Sequence, residues 1–178
     1  ILPDLSKCVS LIHLYCSFNQ LTILPDLSKC ISLTILYCHT NQLTTLPEGL
    51  PQCVLLKELY CGKNILKILP DLSKCVSLTQ LNCSHNQLTI LPHLSKCVLL
   101  TYLYCGTNQL TTLPHLSKCV SLTILNCDNN NLTEIDVKKC RSLKKLHCSY
   151  NKLIEYPKTP SKTLIYTESG ALTKLLNK

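Results

Sequence analysis

The chain has 178 residues, enough for one domain with a sizeable core or for one short repeat array, and a formal charge of +8. Its 14 Cys, 4 Gly, single Phe and lack of Met and Trp lean toward an array of similar units, and no apolar run approaches the roughly 20 residues that a membrane-spanning helix needs. Residues 1–136 hold eight Lys against eight acidic residues, whereas 137–178 hold ten basic and two acidic ones, so any attraction to acidic or phosphate-bearing partners belongs to the C-terminal end.

The first residues, ILPDLSKC, lack the basic start, apolar middle and small-residue cleavage site of a secretory signal. They read as the middle of a linker, in a piece of a longer chain. One frame then recurs: LIHLYCSFNQL from Leu11, LTILYCHTNQL from Leu33, LKELYCGKNIL from Leu56 and LTQLNCSHNQL from Leu78. It continues as LTYLYCGTNQL from Leu100, LTILNCDNNNL from Leu122 and LKKLHCSYNKL from Leu143. Successive frames start 22, 23, 22, 22, 22 and 21 residues apart, and the 23 follows from a one-residue insertion in the linker LPEGLPQC.

Each unit can bury its apolar residues only by stacking on its neighbours. In L-x-x-L-x-C the second Leu and the Cys are two apart, so in a strand both face inward. The expected inward column is Leu14, Leu36, Leu59, Leu81, Leu103, Leu125 and Leu146, beside Cys16 through Cys148. Asn19, Asn41, Asn64, Asn86, Asn108, Asn130 and Asn151 fall where each strand must turn. An amide both donates and accepts, so a stack of Asn can satisfy backbone groups that lose their sheet partners. The short, Pro-containing return segment predicts extended chain or a turn of 3-10 helix, with Leu27, Leu72, Leu94 and Leu116 closing the core. After Pro157 the period stops; Thr163–Tyr166 reads as a last strand and Ala171–Leu176 as a short helix. We therefore expect a seven-repeat array over 1–157, starting mid-repeat, and a C-terminal cap over 158–178.

The pattern L-x-x-L-x-C-x-x-N-x-L resembles the leucine-rich repeat consensus, with Cys where Leu is commoner. The L-T-x-L-P-x-L linker is similar to that of repeats in bacterial effectors and large DNA viruses. The resemblance implies a curved right-handed solenoid of the α/β class, mostly β, with a parallel sheet on the concave face and short 3-10 or extended convex segments. It also implies a non-catalytic module for protein–protein interaction. Two alternatives stand beside that use: the substrate-recognition arm of a larger effector enzyme such as a ubiquitin ligase, and a structural or assembly protein, as in a virus, that associates end to end through its uncapped N-terminal coil.

The cysteines form seven pairs, each eight residues apart, all in phase with the inward slots. We read them as compact core hydrophobes. A disulfide scaffold and zinc sites are the competing readings, the second weakened by the lack of any C-x-x-C. A reduced, cytoplasmic setting follows, in a host cell or virion for a pathogen protein. The outward positions supply the candidate partner-binding face. Before the inward Leu come His13, Ile35, Glu58, Gln80, Tyr102 and Lys145; after it come Tyr15, Tyr37, Tyr60, Asn82, Tyr104, Asn126 and His147. Beyond the Cys lie His39, Phe18, Lys63, His85 and Tyr150. Exposed Tyr offers large, rigid contact area with a polar tip, although a tyrosine ladder also stabilises a parallel sheet by itself. No phosphate loop, nucleophile elbow or Ser/His/Asp arrangement emerges that the repeat does not explain. We expect no enzyme activity, cofactor, metal or small-molecule ligand, and no membrane partner; nucleic acid ranks below protein.

Overall fold

A computed structural model describes residues 1–167, so the helix expected at Ala171–Leu176 lies outside the described residues. Eight three-residue strands form one parallel sheet in chain order: β1 (His13–Tyr15), β2 (Ile35–Tyr37), β3 (Glu58–Tyr60), β4 (Gln80–Asn82), β5 (Tyr102–Tyr104), β6 (Ile124–Asn126), β7 (Lys145–His147) and β8 (Leu164–Tyr166). The register places every inward Leu opposite the next, Leu14 on Leu36 through Leu125 on Leu146 and then Ile165. This is the solenoid anticipated from the period: no α-helix occurs among the described residues, and the only 3-10 turn among them is Leu50–Gln52, in the linker that carries the insertion. In the other return segments the stretch around Pro is extended and gives way to hydrogen-bonded turns on either side of the cysteine.

One continuous core runs the length of the coil. From Leu36 to Leu146 the inward strand leucines are fully buried, as are Leu27, Leu72 and Leu94 of the return segments. Full burial of such a side chain is worth about 1.5–3 kcal/mol relative to leaving it in water. Thirteen of the fourteen thiols are buried, and all fourteen are free; Cys8 is partly exposed. Burial pushes the Cys16 thiol up to about 11 and that of Cys83 to about 12. The two cysteine columns use their weak S–H donors in opposite senses. Strand thiols donate forward, Cys105 to Asn126 O at 3.4 Å and Cys127 to His147 O at 3.3 Å. Linker thiols donate backward, Cys53 to Leu27 O at 3.5 Å and Cys140 to Leu116 O at 3.3 Å. A Leu in either slot would fill the space and leave those carbonyls without that donor.

The asparagine row performs the backbone repair that its position implies. Asn64 Oδ1 accepts Leu43 N–H at 2.9 Å, and its Nδ2 donates to Cys38 O at 3.1 Å and Cys61 O at 3.0 Å. Asn86, Asn108, Asn130 and Asn151 repeat the scheme one coil further each time. To reach this geometry, the residue before each Asn adopts a left-handed backbone: φ is 52–56° at Phe18, Thr40, Lys63, His85, Thr107, Asn129 and Tyr150. None of these is glycine, so every coil carries some local backbone strain.

Candidate functional site

Because the strands are three residues long with the middle one inward, their first and third residues form two parallel rows on the outward face of the sheet. The first row contains His13, Ile35, Glu58, Gln80, Tyr102 and Lys145, and the second Tyr15, Tyr37, Tyr60, Asn82, Tyr104, Asn126 and His147. Tyr15 is 61% exposed, and its successors Tyr37, Tyr60 and Tyr104 are half-buried because each ring leans on neighbours. Phe18 and Tyr150, at 75% and 56% exposure, project from the left-handed position at the sheet's edge, together with exposed Lys63 and His85.

These residues do not make one uniform ladder. Tyr15, Tyr37 and Tyr60 join His13, His39 and Phe18 in a single aromatic cluster over the first three strands. Tyr37 and Tyr60 stack at 4.5 Å between centroids, Tyr15 meets Tyr37 edge-on at 5.2 Å, and Phe18 meets His39 edge-on at 5.1 Å. Such pairs contribute about 0.5–1.5 kcal/mol beyond their buried area. A polar chain fixes the rings. The Tyr37 hydroxyl donates to Glu58 Oε2, Gln80 Nε2 donates to Glu58 Oε1 at 3.3 Å, and the Tyr60 hydroxyl donates to Gln80 Oε1 at 2.5 Å. The Glu58 hydrogen bond holds the Tyr37 phenol well above its usual range, with burial adding to it. His39 Nδ1 shares a 2.8 Å hydrogen bond with Ser17 Oγ, and burial, helped by nearby Lys63, lowers its affinity for a proton. Neutral His39 therefore belongs to the cluster at neutral pH.

Asn82 interrupts the column. Beyond it Tyr102 and Tyr104 form a separate pair, 6.4 Å between centroids, and His147 stacks on Tyr166 at 4.3 Å. Tyr166 was not among the residues expected on this face, although the alternation Leu164-Ile165-Tyr166 marks its side chain as outward. Between the aromatic groups the face is amide-rich: Asn126 Nδ2 donates to Asp128 Oδ2 at 3.1 Å, and Asp128 Oδ1 accepts Ser149 N–H at 2.6 Å. Gly106 makes room for this arrangement, since a Cβ there would sit 2.5 Å from Asn126 Oδ1.

On the far side of the coil, Asp4, Asp26 and Asp71 do not pair with the lysine row. Their carboxylates accept the N–H and hydroxyl of Ser6, Ser28 and Ser73, which holds each below its usual range. A cleft of about 470 Å³ lies at the irregular seventh linker, where the shortened IDVKKC leaves Glu134, Asp136, Lys138, Lys139 and Lys158 around His115. Among the described residues no three or more His, Cys, Asp or Glu side chains converge as they would on a metal ion, and no helix is long and apolar enough to cross a membrane.

The family model for leucine-rich repeats in two-copy units matches residues 9–52, 54–96, 76–118 and 98–139, well over half of the chain. The chain belongs to the leucine-rich repeat family. Among solved structures it is similar to the functional domain of InlJ from Listeria monocytogenes, which includes a cysteine ladder, at 30% identity and a TM-score of 0.68. That match covers 95% of this chain and 46% of InlJ. YopM from Yersinia enterocolitica is 29% identical with a TM-score of 0.72, over 90% of this chain and 33% of that one. A Shigella effector leucine-rich repeat domain is 28% identical with a TM-score of 0.75, over 98% and 79%. No curated protein is significantly similar in sequence. Leucine-rich repeat solenoids of this kind are protein-interaction modules in bacterial effectors.

Proposed function

We propose that this leucine-rich repeat chain binds another protein through the concave sheet face and carries no catalysis of its own. The observation that carries the reading is the aromatic cluster of Tyr15, Tyr37, Tyr60, His13, His39 and Phe18, pinned by Glu58 and Gln80. Rings already fixed in place lose little side-chain entropy on docking, which is the usual basis of an aromatic hot spot. The contact would extend across the amide-rich centre, Asn82 and Asn126, to Tyr102 and Tyr104, and reach Lys145, His147 and Tyr150, with Ile35, Lys63 and His85 at its margins. Residues 1–157 form the binding array, and β8 in the following segment covers its last coil; the remainder of the cap expected over 158–178, from residue 168 on, lies outside the described residues. The free, buried thiols favour a reducing compartment, the cytoplasm of a host cell for an effector of this type.

The test is affinity capture from the native cell, with the parent chain against a variant in which Tyr15, Tyr37, Tyr60 and Tyr104 are all Ser. The parent retains a specific protein that the variant loses, while circular dichroism stays nearly unchanged; equal capture by a folded variant refutes the reading. The similarity to a Shigella effector repeat domain favours a second reading, the recognition arm of a larger effector enzyme. A catalytic domain encoded beside this segment in its gene would support it.

A further inference from the structure

Each of the seven cysteine-bearing repeats enters its strand through two successive turns that share a cysteine. In the second coil Cys30 N–H donates to Leu27 O at 2.9 Å and Leu33 N–H to Cys30 O at 3.0 Å, and the pair recurs around Cys75, Cys97 and Cys119. The first turn presents a lysine, Lys29, Lys74, Lys96 and Lys118, all exposed, with Gln52 in that place in the third repeat. The second presents a β-branched aliphatic residue: Val9, Ile31, Val54, Val76, Val98 and Val120, each 43–56% exposed. Turn chemistry does not ask for Val or Ile, since Pro, Asp, Asn, Ser and Gly suit such positions. Nor does this fold require them. Arg141 occupies the same place in the last repeat, and the same turn closes there, Leu143 N–H donating to Cys140 O at 2.9 Å. With coils about 4.8 Å apart, the aliphatic row runs roughly 24 Å, broadened by exposed Leu55 and Leu99.

We propose that this ridge and the adjoining lysine row dock the solenoid on an anionic lipid surface, independently of the aromatic sheet face. The ridge is a single line of turn residues, too narrow to supply the roughly 800 Å² per partner of a standard protein interface. As an array of turns rather than a groove, it has no walls to enclose a peptide. A bilayer interface is deformable and accepts a line of aliphatic side chains while its phosphates and carboxylates meet the lysines. Charge strengthens toward one end. Asp4, Asp26 and Asp71 are occupied by their own serines, and His93 and His115 replace that Asp in the next two linkers. In the seventh linker Asp136 returns and pairs with Lys138 at 3.6 Å, and the row goes on through Lys139 to Arg141. The expectation of no membrane partner rested on the lack of a spanning segment; contact through a row of turns needs none.

The test is co-sedimentation of the full chain with phosphatidylcholine vesicles containing or lacking phosphatidylserine. We expect binding to the anionic vesicles that falls as salt rises, and little binding to the neutral ones. Replacing Ile31, Val76 and Val98 together by Ser should weaken it tenfold or more, by roughly the transfer value of three half-exposed aliphatic side chains. Lys74→Gln, Lys96→Gln and Lys118→Gln together should weaken it on the order of a hundredfold, at about fivefold per lysine. Circular dichroism shows that each variant is folded. No binding of the parent to anionic vesicles overturns the proposal, as does undiminished binding by a folded triple-serine variant. A concentration-dependent dimer abolished by the same serines would assign the ridge to a second copy and overturn it equally.

Discussion

The asparagine row offers a perturbation whose size follows from its position in the coil. Asn64 is 8% exposed and makes four contacts: it accepts Leu43 N–H at 2.9 Å and donates to Cys38 O, Cys61 O and Gly62 O at 3.1, 3.0 and 3.2 Å. Asn64→Ala removes all four and strands backbone groups of Leu43, Cys38 and Cys61, each fully buried. A hydrogen bond contributes about 1 kcal/mol net, so the loss of these four contacts, two of them sharing one amide hydrogen, is expected to cost about 3–4 kcal/mol. Asn19 is exposed, and both of its side-chain bonds, to Cys16 O and Ser17 O, stay within its own turn. Asn19→Ala should cost about 1 kcal/mol or less. At roughly 2–4 °C per kcal/mol for a chain of this size, thermal unfolding followed by circular dichroism should show a drop of about 6–16 °C for the first and at most about 4 °C for the second. Asn64→Asp should be at least as damaging as the alanine, because it sets an acceptor, or a buried charge, against carbonyl oxygens. Equal losses at positions 64 and 19, or a harmless Asn64→Asp, would show that the amide row does not join one coil to the next.

Three other outcomes follow from the packing. Leu81→Ala should cost about 2–5 kcal/mol in urea unfolding, because Leu81 is fully buried between two coils; the same change at partly exposed Leu14 should cost less. Thiol titration at pH 9 should be slow in the native chain. A group with a pKa of about 11, as at Cys16, is then about 1% ionised, whereas denaturation should release 14 reactive thiols. Fast native reaction of more than Cys8 and its neighbours would contradict their burial. Thr107→Asn should raise stability by about 0.5–1 kcal/mol, since a β-branched residue at φ 54° is strained and Asn129 already fills the equivalent place one coil on. An unchanged or lowered midpoint would mean that the threonine hydroxyl outweighs the strain.

Most of the fold was readable in advance because the period and the chemistry agree at each inward slot. Leu36, Cys38 and Asn41 each need a particular interior, and stacking whole coils is the arrangement that gives all seven sets the same one. The return segments were less legible, since Pro and short length permit either extended chain or a 3-10 turn, and the inserted LPEGLPQC alone took the second course among the described residues. For the candidate face the rows were readable but their grouping was not. Alternation tells that Tyr60, Asn82 and Tyr104 point outward; it does not tell that Glu58 and Gln80 lock Tyr37 and Tyr60 together while Asn82 isolates Tyr104. Such grouping depends on rotamers and on partners a whole coil away. The half-exposed Val and Ile of the turns are likewise invisible to a pattern that counts apolar residues without their surroundings.

The thiol and amide contacts that stitch the core reach only as far as the adjacent turn of chain, never two turns away. Excising one whole unit would therefore let the stumps rejoin on equivalent partners, and duplicating one would add a rung without reshaping the rest. In such an architecture length is an evolutionary variable set by recombination, and the reach of any surface it displays can grow or shrink by about 4.8 Å at a time.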